Sequence, residues 1–284
     1  MTAWRARLAR FGRLRPRWLP RGLLLLGCGL MLGLATGWLL TRWSLGDRLV
    51  IGGTGQELSV LLEVAGQRVV IGGGSSRSDL VDFVDRSTLP WDRQIDLLVI
   101  PAGAERHLPG ALELVERGRV RRLALLGLPG NEPAWTLLER AAQARQAAVS
   151  YIAEPERVTL TDPAWLMLHP SSEGSEDPGV YVLVRLAEVQ VAVVDAPRGS
   201  RGQWSAIAGS HLLVALRPPP GDLSPVPLVA RPVPRRTGDF VPIDAKYELT
   251  LDRGRRVTLR FTSHELRVPL DAVDRPSAPP TSTP

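Results

Sequence analysis

Side chains that could bind a metal or act as an acid, base or nucleophile are few in this chain. Its 284 residues include one cysteine, Cys28, and four histidines: His107, His169, His211 and His264. A single cysteine excludes an intramolecular disulfide and a cysteine-rich metal cluster. The chain also has no G-x-S-x-G nucleophile elbow and no lysine-bearing phosphate loop. Any remaining chemistry would depend on the histidines and on carboxylates near them.

One histidine lies at a junction where a functional side chain is often found, between a buried strand and a helix. Ile95–Ile100 is a continuous apolar run, which is typical of a strand covered on both faces. Leu108–Gly118 has a helical pattern that ends on a glycine. His107 lies between them. A comparable junction, the glycine-rich turn Gly72–Ser76, follows the predicted strand Gln67–Ile71.

The segment from Leu97 to Gly110, LLVIPAGAERHLPG, resembles the metallo-β-lactamase motif, a strand followed by T-H-x-H/D-x-D-H-I-G-G and a helix. Further fragments, in the same order, resemble the extracytoplasmic domain of ComEC-type competence DNA-uptake proteins. These fragments are Gly53–Leu58 (D-V-G-Q-G-D in that family), Val70–Gly74 (L-I-D-G-G), Leu168–Pro170 (L-H-P) and Val191–Ala196 (F-L-L-T-G-D-A). The resemblance runs from about Leu49 to Leu216. It implies a reduced αββα sandwich.

The resemblance also implies that most metal ligands of the hydrolase family have been lost. The degenerate ligand positions hold Ala102, Ala104, Arg106 and Gly72. His107 and Asp195 are the residual ligand positions, and no counterpart of the family's late G-H-H-G-S histidines exists. A two-metal hydrolase needs several histidines and aspartates around ions about 3.5–4 Å apart. We therefore predict no catalytic residue, no metal and no cofactor. One alternative stays open, a single metal held by His107 and Asp195.

The N-terminus carries a candidate membrane anchor. Gly22–Thr41 is free of charge and would span about 30 Å as a helix, which predicts a transmembrane helix at 22–41. Residues 1–21 hold seven arginines and no acid, which predicts an arginine-rich cytoplasmic tail. The chain is then a single-pass cell-membrane protein with an extracytoplasmic C-terminal domain. A cleaved signal peptide is the alternative, although its apolar region is usually only about 7–15 residues long.

Three glycines of this segment, Gly29, Gly33 and Gly37, recur every four residues and therefore share one helical face. Such small-xxx-small spacing lets two transmembrane backbones approach closely, and it predicts a homodimer through this helix. The alternative is that glycine is simply frequent in membrane spans.

The rest of the chain predicts an α/β (α+β sandwich) fold, because an early β-hairpin is followed by alternating strands and helices. The hairpin is Leu58–Val64 with Gln67–Ile71. Four segments complete the expected organisation: a metallo-β-lactamase-like domain at 49–216, a proline-rich linker at 217–246, a terminal β-hairpin at 247–270 that completes the fold, and a disordered tail at 271–284. The prolines of 218–242 predict that no central strand lies there.

Charge argues against a nucleic-acid partner for the ectodomain. The net charge is +6, but residues 1–42 contain eight arginines and no acid, so the remainder has 27 basic and 29 acidic residues. The sequence favours a non-catalytic, membrane-anchored pseudo-enzyme with a protein partner in an uptake or envelope complex. The alternatives are a metal-dependent hydrolase of nuclease or phosphodiesterase type with an atypical site, and an envelope protein whose fold is only a spacer.

Overall fold

The structure is a computed structural model in which the placement of part of the chain is described. The described residues are 27–37, 47–54, 57–101, 107–127, 133–170, 180–195, 207, 209–216, 226–232, 245–261 and 265–269. By its contacts the chain divides into two compact units, Met1–Leu45 and Gly46–Pro284. The tail at 1–21 and the segment 271–284 lie outside the described residues.

The elements alternate along the chain as the apolar patterns indicate. The helices are α1 (27–37), α2 (Arg77–Ser87), α3 (Leu108–Glu116) and α4 (Pro133–Ala144). The first strands are β1 (Arg48–Thr54), β2 (Glu57–Val64), β3 (Gln67–Ile71), β4 (Leu97–Pro101), β5 (Arg122–Leu126), β6 (Ala148–Ile152), β7 (Glu156–Thr159) and β8 (Trp165–His169). The later strands are β9 (Val180–Leu186), β10 (Val189–Asp195), β11 (Leu212–Ala215), β12 (Val226–Pro232), β13 (Ala245–Leu251), β14 (Arg256–Phe261) and β15 (Leu266–Arg267).

In the first unit, the described residues form α1, which covers part of the predicted transmembrane segment. Its side chains are exposed, including Leu30 at 63% and Leu32 at 72%. The hydroxyl of Thr36 donates a hydrogen bond to the carbonyl oxygen of Leu32 at 2.7 Å. Within the part of the chain that the structure describes, no helix has the length and apolar character needed to cross a membrane. The flanks at 22–26 and 38–41 lie outside the described residues.

The second unit contains two β-sheets. The eight-stranded sheet has the order β15-β14-β1-β2-β3-β4-β5-β6, and the seven-stranded sheet has the order β13-β12-β11-β10-β9-β8-β7. Strands β2 and β3 form the predicted hairpin, closed by Ala65 and Gly66. Strands β3 to β6 run parallel, and a helix lies in each connection between them. The predicted α/β two-sheet class is confirmed.

Alternation along the strands sorts the apolar side chains into layers. In β2, Leu58, Val60 and Leu62 pack into the cluster between the two sheets, whereas Leu61 packs against the helices. Helices α2, α3 and α4 therefore cover one face of the eight-stranded sheet, and the seven-stranded sheet covers the other. The outer face of the seven-stranded sheet carries a smaller apolar cluster that includes Tyr181 and Ile207. The segment 196–206, where the fourth layer of an αββα sandwich is expected, lies outside the described residues.

The predicted terminal hairpin at 247–270 is wrong. Strand β13 belongs to the seven-stranded sheet, paired with β12, and β14 belongs to the eight-stranded sheet, paired with β1. The turn 252–255 therefore carries the chain from one sheet to the other. Apolar residues on both strands point into the same space between the sheets, Leu249 and Leu251 from one side and Leu259 from the other. Alternating patterns in two neighbouring segments look the same whether the strands pair or face each other across a core.

The expectation that 218–242 holds no central strand is also wrong. Strand β12 lies between β11 and β13, although it contains Pro227 and Pro232. Its pairing with β11 involves only Val229 and Ala230. The prolines lie outside this short stretch, so their lack of an N–H group costs no hydrogen bond between β12 and β11.

Ion pairs fasten the β2–β3 hairpin to the loop that precedes β4. Arg68, whose side chain is 6% exposed, contacts Glu63 at 2.9 Å and Asp92 at 2.8 Å. Its backbone N–H donates a hydrogen bond to Asp96 at 2.9 Å. Arg48 contacts the other carboxylate oxygen of Glu63 at 2.7 Å. The pKa of Arg68 is raised, because the contacts with the two acids outweigh the opposing effect of burial.

Candidate functional site

His107 lies at the N-terminus of α3, at the end of the loop that follows β4. It is the N-cap residue of α3, and its side chain is completely buried. The carboxyl ends of β3 and β4 meet at this edge of the parallel part of the sheet, where the connections to helices provide room for polar groups. A buried histidine at such a place needs polar partners.

Two carboxylates flank the imidazole of His107. Its Nε2 lies 3.0 Å from Oδ2 of Asp195, the last residue of β10 in the opposite sheet. Its Nδ1 lies 2.9 Å from Oε2 of Glu57, the first residue of β2. The contact with Asp195 has hydrogen-bond geometry, and the contact with Glu57 is a close ion pair that is poorly aligned for a hydrogen bond. We call these three residues the His107 centre.

The charge state of the His107 centre follows from its burial and its contacts. Burial lowers the pKa of His107, but the hydrogen bond with Asp195 and the contact with Glu57 outweigh this effect and raise the pKa from 6.5 to about 8. The ring is therefore mainly protonated at neutral pH, with both nitrogens carrying protons. A cation lies between two carboxylates, each of which is at most 3% exposed.

A glycine turn fixes the backbone next to His107. A Cβ on Gly73 would lie 1.8 Å from the carbonyl oxygen of His107, and one on Gly110 would lie 2.0 Å from the carbonyl oxygen of Gly73. The N–H of Gly110 donates a hydrogen bond to the carbonyl oxygen of Gly74 at 3.3 Å. Gly72 has a φ of +97°, in the region that favours glycine. The backbone of this turn can therefore contact the start of α3 directly only because Gly73 and Gly110 have no side chains.

A hydroxyl pair lies on the other side of the turn. Thr54 Oγ1 and Ser59 Oγ are 2.8 Å apart, and both residues are completely buried. A Cβ on Gly72 would lie 3.5 Å from Ser59 Oγ, and one on Gly74 would lie 3.4 Å from Cβ of Thr54. The turn therefore covers two buried hydroxyl groups that form a hydrogen bond with each other.

The structure brings together part of the site predicted from the sequence. His107 and Asp195 are in contact, and Gly72 begins the turn that packs on His107. The degenerate positions Ala102, Ala104 and Arg106 lie outside the described residues.

Glu57 was missed as a site residue, although it falls within a fragment that carries the resemblance. The signal that could have found it is an acid at the first position of a mainly apolar strand.

The donor set does not fit the two-metal centre that the resemblance implies for active relatives. The His107 centre supplies one imidazole and two carboxylates, whereas a two-metal centre needs several histidines and aspartates. His211 accepts a hydrogen bond from the backbone of Gln190, and His169 stacks on Tyr181 with ring centroids 4.2 Å apart. Across the described ranges, no group of three or more histidine, cysteine, aspartate or glutamate residues is arranged to hold a metal ion.

Comparisons with known proteins find similarity in three dimensions and not in sequence. No protein-family model matches the chain, and no curated protein matches it. Similar solved structures include the metallo-β-lactamase fold protein YhfI from Bacillus subtilis, with a TM-score of 0.45, 11% identity and coverage of 74% of this chain and 88% of that chain. Zn²⁺-bound PqqB from Methylobacterium extorquens gives a TM-score of 0.41 and 14% identity, covering 59% of this chain and 70% of that one. Human tRNase Z, short form, gives a TM-score of 0.41 and 10% identity, covering 59% of this chain and 76% of that one. These similarities assign no activity to this chain.

Proposed function

We propose that this protein is a non-catalytic, membrane-anchored module of metallo-β-lactamase-like fold, a pseudo-enzyme that binds a partner without transforming it. The observation that carries the proposal is the His107 centre, in which one imidazole lies between two buried carboxylates.

A hydrolase of the two-metal type directs lone pairs at its cations, and the cations then polarise a water. In the His107 centre the protonated ring carries one positive charge, and the carboxylates of Glu57 and Asp195 together carry two negative charges. The ring must lose a proton before it can bind a metal, and the contacts with the two carboxylates that raise its pKa oppose that loss. The centre therefore acts as an internal cross-link between the two sheets and α3.

The anchor is a part of the proposal that rests on composition and on α1. Residues 22–41 are free of charge, and the arginines before them would remain in the cytoplasm. The apolar side chains of α1 are exposed, as the side chains of a helix in lipid would be. The extracytoplasmic location of the second unit follows from this orientation.

The proposed partner is a protein of an uptake or envelope complex and not a nucleic acid. The arginines clustered between α3 and β5 are neutralised locally. Arg117 contacts Glu113 at 2.8 Å, and Arg121 contacts Asp96 at 2.8 Å. A phosphate backbone would have to compete with these acids for each guanidinium. The link to DNA uptake rests on the resemblance to ComEC-type proteins.

The test of the non-catalytic assignment measures metal content and turnover together. The full-length chain is purified in detergent without chelator, its metals are quantified by mass spectrometry, and it is assayed on bis-p-nitrophenyl phosphate with added Zn²⁺ or Mn²⁺. We expect substoichiometric metal and no metal-dependent turnover. Turnover that His107→Ala abolishes and that the control His211→Ala leaves intact would refute the proposal and establish the hydrolase alternative.

A second experiment distinguishes a binding module from a spacer. Photocrosslinking in native membranes, with identification of the neighbours by mass spectrometry, should give a small reproducible set of partners. Crosslinks spread over unrelated abundant envelope proteins would instead support a spacer.

A further inference from the structure

A cavity of about 330 Å³ lies between α2 and the turn that joins β13 to β14. Its lining includes Asp79 and Arg86 from α2, and Arg253, Arg255 and Arg256 from the turn and the start of β14. We call it the arginine-rich cavity. It shares no residue with the His107 centre.

Two adjacent glycines of β1 make this cavity possible. A Cβ on Gly52 would lie 2.4 Å from the ring of Phe83, and one on Gly53 would lie 2.1 Å from the carbonyl oxygen of Asp252. The N–H of Gly53 donates a hydrogen bond to the carbonyl oxygen of Arg255 at 3.0 Å, and the N–H of Gly254 donates to that of Gly53 at 3.0 Å. The helix thus packs on the strand through the ring of Phe83, and backbone hydrogen bonds hold the turn against the strand, so the fold sets the position of the arginines.

The cavity is electropositive in a domain that carries no excess of basic residues. Four arginines and two aspartates line it. Among the residues that the structure describes, one ion pair reaches the cavity, between Arg253 and Asp79 at 2.8 Å. The guanidinium groups of Arg86, Arg255 and Arg256 are therefore available to an anion. Guanidinium groups hold phosphate through paired hydrogen bonds.

Asp79 supplies the second recognition element. Its side chain is only 9% exposed, and its Oδ1 accepts the hydrogen bond from Arg253. Its other oxygen, Oδ2, is buried and has no hydrogen-bond partner within the described part of the chain. Because Oδ2 has essentially no accessible surface, a ligand in the cavity would reach the carboxylate at Oδ1, which can accept a second hydrogen bond from a hydroxyl beside Arg253.

We propose that the arginine-rich cavity binds a phosphate ester of a small polyol. The arginines hold the phosphate, and a hydroxyl of the polyol donates a hydrogen bond to Oδ1 of Asp79, beside the one from Arg253. The volume is at the lower end of the range for ligand pockets, which suits a ligand of about the size of a glycerol or monosaccharide phosphate. A soluble sugar phosphate and a glycerol-phosphate lipid headgroup share this chemistry.

The test uses the full-length chain in a non-ionic detergent and isothermal titration calorimetry with three probes. We expect glycerol 3-phosphate to bind saturably with one site per chain and more tightly than inorganic phosphate, and we expect glycerol to give no heat. Flotation with phosphatidylcholine vesicles, with and without phosphatidylglycerol, distinguishes a lipid headgroup from a soluble phosphate ester as the ligand. Binding that requires phosphatidylglycerol indicates a lipid headgroup, and binding of the soluble ester without vesicle binding indicates a metabolite.

Variants separate this site from general charge attraction. Arg86→Gln and Arg255→Gln should each weaken glycerol 3-phosphate binding about tenfold or more, the usual effect of losing a charge-assisted hydrogen bond. Asp79→Ala should abolish the preference for the ester over inorganic phosphate. The control Arg145→Gln removes an equal charge from an exposed residue outside the cavity and should leave affinity unchanged. Absence of binding to both phosphate probes at millimolar concentration, or an equal loss in the control, would overturn the proposal.

Discussion

Raising the pH should weaken the fold through the His107 centre. The pKa of His107 is raised from 6.5 to about 8, because its contacts with Asp195 and Glu57 outweigh the effect of burial. The native state therefore holds this proton more tightly than the unfolded chain. The resulting stabilisation is fully present below about pH 6.5 and is lost as the pH rises through about 8.

The magnitude follows from the shift. One pKa unit corresponds to about 1.4 kcal/mol, so a rise from 6.5 to about 8 corresponds to about 2 kcal/mol. The side chain is completely buried, and solvent screening does not reduce this value. The free energy of unfolding should therefore fall by about 2 kcal/mol between about pH 6 and about pH 9 through this one group.

Two measurements check the prediction. Denaturant unfolding of the full-length chain in detergent, followed by near-ultraviolet circular dichroism, gives the free energy of unfolding at each pH. NMR of the histidine rings follows the proton directly, and the signal of His107 is assigned as the one that His107→Gln removes. His211→Gln is the matched control and should retain it. A midpoint for His107 below 6.5, or stability that does not fall with rising pH, would refute the reasoning.

Three further predictions concern packing, charge and self-association. Gly73→Ala should lower the free energy of unfolding by about 3 kcal/mol, because its Cβ would overlap the backbone of α3. The control Gly118→Ala, which meets only backbone strain, should cost about 1 kcal/mol in the same denaturation assay. Arg68→Met should cost about 2 kcal/mol, since it removes charged hydrogen bonds to buried Glu63, which keeps Arg48, and to Asp92. A cost no larger than that of losing an exposed ion pair would contradict this. Gly33→Ile should reduce dimerisation in a membrane self-association assay, and an unchanged signal would exclude pairing through this glycine face.

The local elements were largely readable from the sequence. The hairpin of β2 and β3, the parallel strands β4 and β5 and the helices between them follow from apolar runs and glycine turns, which act over a few residues. The likeness of Leu97–Gly110 to a metal-binding motif singled out His107, and that of Val191–Ala196 to a family strand singled out Asp195. The structure places the two in contact.

What each segment packs against was decided only in three dimensions. Strands β13 and β14 carry the alternation of a hairpin, yet they lie in different sheets, because period-two patterning specifies a buried face and not a neighbour. Glu57 became part of the site because β2, β10 and the start of α3 converge, and His107 and Asp195 are 88 residues apart in the chain. The sequence supplied the residue types, and the fold set the distances that place one imidazole between two carboxylates.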